Sequence, residues 1–407
     1  MNNFLSVFPD PDALIRQFPV QDIREVNAHL HTPFSFSAFE DISQIFDMAV
    51  QEKIAVAGIN DFFVADGYDA FCSEALKTGV FPLFNIEFIS LLKEEQQQHI
   101  RINDPNNPGR CYFSGKGLDF PFMADKQIML KLSHVVDESQ EQVRAMIALA
   151  NSWFESIGAE IHLDYSGIRR HLARELVRER HIAKAIRMAV FENCTDPSER
   201  KSLLTLLFDG KEPKAPMHDI AQIENEIRSN LLKAGGKAFV EEDDNAFMQL
   251  PEVLEIILAA GGIPCYPVLL DDQKGNYTEY EKDPEALYKE LSRHHIRCIE
   301  LIPGRNAAGP FESFIRYFDS KGFIILLGTE HNSPGLIPLT CNTRGGIPLS
   351  EYALRISWEG ACAVAAHQYL RARGQQGAAY PMTGSEKTRM IELGNAVIHH
   401  YLNQYKP

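Results

Sequence analysis

Along the first hundred residues, short apolar runs alternate with amphipathic stretches. "EVNAHLHT" (25–32) and "VFPLFNIEFISLL" (80–92) read as strands. "IAVAGIND" (54–61) is almost continuously apolar, as expected for a strand buried on both faces. Between them, "EDISQIFDMAVQEK" places Ile42, Ile45, Phe46 and Ala49 on one helical face behind Asp41 as N-cap. "GYDAFCSEALKTG" reads as a helix closed by Gly79. Residues 101–120 carry loop signals, "NDPNNPGR" and "SGKG". From about 122 to 235 the pattern is mainly helical. Val143, Met146, Ile147, Ala150, Trp153, Phe154 and Ile157 recur at helical spacing, and Ser139 with Gln142 forms a capping-box pattern. Further helices are predicted at about 167–178, 180–193, 197–208 and 217–234. Near 248 the alternation returns, with strands "IPCYPVLL", "IRCIELIPG" and "FIILLGTEHN" separated by helices. The chain from 350 onward is helical again.

Repeated βα units imply a parallel sheet, and this many suggest a closed or nearly closed α/β barrel. The expected organisation is a first barrel part over 1–100, a helical insertion over 101–240, a second barrel part over 241–349 and a helical C-terminal segment over 350–407. An insertion of this kind is expected to cap the barrel mouth and form a substrate cleft at the interface.

Composition narrows the partners. Of 407 residues, 45% are hydrophobic and 23% charged, ordinary for a globular chain with a full core. No run of about 18 apolar residues suggests a membrane span, and the N-terminus does not read as a signal peptide. The cytoplasm is therefore the expected compartment. A formal net charge of −15 speaks against bulk nucleic acid as a partner but leaves room for a small anionic substrate at a metal. The seven cysteines are scattered without a C-x-x-C pair, as expected of reduced thiols. Nothing in the sequence sets the oligomeric state.

In a βα barrel the chemistry sits at the C-terminal ends of the strands. His29 and His31 close the first strand, and their i, i+2 spacing puts both imidazoles on one face. Asn60, Asp61 and Phe62 close the second. Glu87 lies in the third, with His99 shortly beyond. Tyr266 and Glu300 lie near two later strand ends, and Glu330, His331 and Asn332 follow the last. An H-x-H pair alone is common by chance. A carboxylate within an apolar strand is more informative, because it needs a partner. Imidazoles and carboxylates converging from several strands suit Zn, Mn or Fe.

Taken together, the segments "NAHLHT", "INDF", "NIE", "ERHIAKAI", "GGIPCYPV" and "GTEHN" resemble motifs of the PHP (polymerase and histidinol phosphatase) family. The branch most resembled carries a helical insertion. The resemblance implies a distorted seven-stranded (β/α) barrel and a metal-dependent phosphoesterase. It implies one metal position held by His29, His31, Glu87 and Glu330, with His331 beside them, and a second position sharing Glu87 with His99. One or two divalent ions are thus expected. Phe62, Tyr266 and Asn332 stand where the family has histidine, and Glu330 where it has aspartate.

The expected function is hydrolysis of a small phosphorylated substrate, a nucleotide or sugar phosphate. The metal would polarise a phosphoryl oxygen and acidify a water. Asp61 and His181 are the candidate catalytic residues, and Arg180, Arg305 and Tyr266 the candidate substrate contacts. Lys184 beside Arg180 is a further possible anion contact. Two alternatives stand beside this reading. One is a different single-metal reaction, hydrolytic or sugar-type. The other is a binding module that has lost catalysis.

Overall fold

In the computed structural model, which describes residues 3–19, 22–174, 176–378 and 384–405, the apolar runs become strands of one sheet. β1 (Glu25–Leu30), β2 (Ile54–Phe62), β3 (Phe81–Leu91), β4 (Arg110–Lys116), β5 (Ile263–Val268), β6 (Cys298–Leu301) and β7 (Ile324–Leu327) hydrogen-bond in chain order. Every residue of β2 and β3 is buried, which is why these strands carry no polar alternation. The result is a nearly closed seven-stranded α/β barrel with added helical parts, the class expected from the sequence.

Closure occurs at the C-terminal ends of the first and last strands. The His31 amide donates to the Glu330 carbonyl and the Glu330 amide to the His29 carbonyl, both at 2.9 Å. Leu30 and Glu330 thus form a parallel bridge. Gly328 permits this approach, since a Cβ there would lie 2.5 Å from the Cβ of His29. Three residues expected at the metal site are therefore tied together by backbone bonds.

β4 departs from the sequence reading, which took 101–120 as loop. It runs antiparallel to both β3 and β5. Ser114 lies opposite Glu87, so Tyr112, Ser114 and Lys116 point into the barrel, while Cys111 and Phe113 point out. A short strand with polar residues on its inward face does not read as a buried strand.

The helical block also differs in detail. α1 (Lys126–Ser156) is continuous, capped by Asp125, whose carboxylate accepts from the amides of Gln127 and Ile128. Ser139 therefore caps nothing and lies mid-helix, its hydroxyl donating to the Val136 carbonyl at 2.7 Å. Ile128, Leu132 and Val135 pack into the barrel core. Val143, Met146, Ile147, Ala150 and Phe154 join a second apolar cluster built from residues 143–238. One helix thus belongs to both cores. The helix expected at 167–178 is shorter, Tyr165–His171, and α2 (Glu179–Asn193) follows it. At the C-terminus, α3 (Glu351–Ala372) packs on β7 and α4 (Gly384–Gln404) on α3. Among the described residues no helix is long and apolar enough to cross a membrane.

Substituting Gly328→Ala should force β7 away from β1. Overpacking of this kind costs about 1–3 kcal/mol. Urea unfolding of the variant should show that loss.

Candidate metal centre

β1 carries His29 on its inward face, His31 follows one residue past the strand's end, and both are buried. Their Nε2 atoms lie 3.4 Å apart. Glu87 Oε2 is 3.2 Å from His31 Nε2 and 3.8 Å from His29 Nε2. Among the described residues this trio forms the cluster of histidine, cysteine and acidic groups whose ligand atoms all fall within 4.8 Å of one another. Glu87 Oε2 is buried without a hydrogen-bond partner. Burial pushes the Glu87 carboxyl up to about 8, against the pull of His29. A buried carboxylate oxygen left unpaired is expensive. A divalent cation would satisfy it together with two imidazole lone pairs, and an N/N/O donor set suits Zn, Mn or Fe. The residues therefore fit a metal.

The side chains behind the trio aim it. His29 Nδ1 is 2.9 Å from Glu300 Oε2 on β6. Glu300 Oε1 accepts from Ser114 Oγ at 2.7 Å, and Oε2 accepts from Lys116 Nζ at 2.5 Å. Burial would raise the Glu300 pKa, but Lys116 and then His29 outweigh it and hold the carboxyl well below its ordinary range. A carboxylate at Nδ1 fixes the ring and leaves Nε2 as the ligand atom. On His31, Nδ1 is 3.3 Å from Ser35 Oγ. Burial lowers the His31 pKa despite Glu330 and Asp61 nearby, which keeps the imidazole neutral with a lone pair to offer. Phe62 stacks on the His31 ring at 4.9 Å between centroids.

Above the trio lies a cavity of about 270 Å³, lined by His29, Glu87, Tyr112, Glu300, Arg305 and Glu330 among others. Glu330 is on the wall with its carboxylate paired to Arg305. Burial would raise its pKa, and Arg305 with the two imidazoles more than offsets this, so it stays ionised. Glu330 and His331 both hold left-handed backbone, φ +70° and +55°. For residues other than glycine that is strained and needs support from the surroundings.

Several expected site residues lie elsewhere. His331 points away from the trio. Its Nδ1 meets Thr329 Oγ1 and its Nε2 the Ile337 carbonyl, both at 2.8 Å, and it stacks on Phe39. Both nitrogens are used, so it is no metal ligand here. His99 is exposed after a short helix, Lys93–Gln97, outside the cluster. Tyr266 pairs in register with Ile299, one residue from Glu300, so it faces outward from the barrel. Its hydroxyl donates to Glu281 at 2.8 Å. Asp61 is spent on structure. It accepts from the Thr32 amide (2.7 Å), the Thr32 hydroxyl (2.5 Å) and the Ser35 hydroxyl (2.6 Å). It thus steadies the turn after β1, and its Oδ1 also lies 4.0 Å from His31 Nδ1. His181 is a helix cap: its Nδ1 accepts the Arg178 amide at 2.9 Å, and burial pushes its pKa down to about 3. Its Nδ1 is thereby committed to the start of α2.

Arg180 is half-buried, bonded to Asn225 Oδ1 at 3.2 Å. Burial and then Arg228 lower its pKa to about 10, and the charge of Glu330 opposes this. Its neighbour Arg178, not singled out in the sequence, lies 4.7 Å over the Phe62 ring. The other residues that sequence reading missed are Lys116, because β4 was not recognised, and Glu300, noted as a strand end but given no role. An acidic residue inside the apolar "CIEL" was the available signal.

No family model matches the chain, and no curated relative does. Solved structures that share its fold include the following two. A candidate metal-dependent phosphoesterase from Bifidobacterium adolescentis superposes with a TM-score of 0.54 at 13% identity, over 83% of this chain and 96% of that one. An amidohydrolase from Chromobacterium violaceum, solved with sulfate and no metal, gives 0.53 at 15% identity, over 82% and 96%. At these identities the likeness shows the fold alone.

Two outcomes test the centre. His31→Ala should lose bound Zn or Mn, read by elemental analysis after supplementation, while circular dichroism stays native. The metal-free protein should respond to pH through Glu87. Its folded pKa lies near 8 against an ordinary 4.5, so the folded state binds the extra proton between these values. Its contribution is full below pH 4.5 and is lost as pH rises through about 8. Metal-free Glu87→Gln, melted across this range, should gain stability relative to the metal-free parent as pH rises.

Proposed function

We propose that the protein is a metal-dependent hydrolase acting on a small phosphorylated substrate, a nucleotide or sugar phosphate, as in the helical-insertion branch of the PHP family. The observation that carries this reading is the orphaned Glu87 oxygen, close to two imidazole nitrogens, beside a cavity that Glu87 and His29 line and that has an arginine on its wall. His29, His31 and Glu87 would hold one ion. When bound, the ion supplies Lewis-acid polarisation of a phosphoryl oxygen and activation of water. Arg305 binds the substrate oxyanion. Its side chain is 45% exposed and already pairs a carboxylate, so an incoming phosphate competes with Glu330 for it. Arg178 and Arg180 add positive charge from the helical block, which an overall charge of −15 makes notable. Sulfate bound by the Chromobacterium neighbour agrees with an anion site in this fold. All seven cysteines are free, in keeping with action in the cytoplasm.

A second reading keeps the metal and changes the bond cleaved. It is favoured by Phe62 lying flat on His31 and Tyr266 facing outward, which leaves one compact donor cluster among the described residues. A phosphate-release screen over nucleotides and sugar phosphates, run with metal analysis, decides between the two. Metal-replete protein that releases no phosphate from any of them overturns the first reading. Within the first reading, Arg305→Met should leave metal content unchanged and lower kcat/KM. Loss of a charged hydrogen bond of about 1.5–3 kcal/mol corresponds to a drop of roughly tenfold to a hundredfold.

A further inference from the structure

A lysine with no exposed surface sits inside the barrel, and its bonds lead to one imidazole. Lys116 Nζ donates to Glu300 Oε2 at 2.5 Å and to Asn60 Oδ1 at 3.0 Å. Both partners touch His29. Glu300 Oε2 is 2.9 Å from Nδ1. Asn60 Nδ2 is 3.3 Å from Nδ1 and 3.0 Å from Nε2, nearly equidistant, so it lies along neither lone pair. Ser114 Oγ occupies the other Glu300 oxygen at 2.7 Å. The Glu300 carboxylate therefore cannot swing away without breaking two other bonds. A neutral imidazole carries one N–H, and an acceptor fixed at Nδ1 draws it there. Nε2 is then bare, and it faces His31 Nε2 at 3.4 Å and Glu87 Oε2 at 3.8 Å.

We propose that Lys116 is a positioning residue of the metal centre: it locks Glu300 as the acceptor of the His29 Nδ1 proton, so that His29 presents Nε2 to the ion. The inference rests on the metal-centre reading above. It assigns Lys116 a task that a lysine merely filling the barrel would not have, because its effect must pass through Glu300 to His29.

A double-mutant cycle tests this route. Zn2+ affinity is measured by competition with a chromophoric chelator for the parent, Lys116→Met, Glu300→Gln and the double variant. Each single variant should bind Zn2+ about tenfold to a hundredfold more weakly. The double variant should bind no more weakly than the poorer single one. Losses that multiply, or a Lys116→Met protein within about twofold of the parent, overturn the proposal. Should Lys116→Met fail to fold, Lys116→Gln takes its place in the cycle. A second measurement needs neither metal nor the lysine variants. In metal-free protein labelled with 15N-histidine, the His29 resonances, identified by their loss in His29→Gln, should report a proton on Nδ1. A proton on Nε2 overturns the relay. A parent protein that binds no Zn2+ defeats the metal-centre reading itself, and the tautomer measurement keeps that failure distinct from failure of the relay.

Discussion

The backbone exchange between the ends of β1 and β7 is the constraint from which the site follows. Two hydrogen bonds, from His31 to Glu330 and from Glu330 to His29, close the barrel where the donor atoms must gather. They set the two imidazoles beside Glu330 and support left-handed backbone at Glu330 and His331. The same contact needs a residue without a side chain at 328. Strain and closeness are concentrated at one point of the rim, as is common where a structure must hold polar groups in a dry place.

Charge burial explains much of the rest. Glu87, Glu300 and Lys116 are all inside the barrel, and isolated buried charges are costly. Lys116 and Glu300 compensate each other with short hydrogen bonds and with Ser114 and Asn60 around them. Glu87 has no such partner on Oε2. The contrast separates a carboxylate that supports a ligand from one left available to bind. Glu330 takes an intermediate position, held by an arginine that is itself half in solvent.

Much of this was legible in the chain. His29 and His31 stand out because two-residue spacing on a strand shares a face, and Glu87 because an acid in an apolar strand requires a reason. The barrel class followed from repeated βα units. β4 was hidden, since its inward residues Tyr112, Ser114 and Lys116 are mostly polar and loop signals flank it. His331 and Tyr266 carry suitable chemistry one residue out of phase: a single step along a strand or its end turns a side chain to the opposite face. His181 has a helix start to cap, and His99 follows a short exposed helix. Neither fact can be read from residue type.

By itself, then, the sequence determined the barrel class and the chemistry of the inner trio, because burial and periodicity are local properties of a strand. The tertiary structure decided which polar residues meet. It turned Glu300 and Lys116 toward His29, committed Asp61 to the turn after β1, and brought Arg178 over Phe62. Those pairings join residues far apart along the chain, such as Lys116 with Glu300 and His29 with Glu300. Only the closed sheet, with its one antiparallel strand, sets the distances between them.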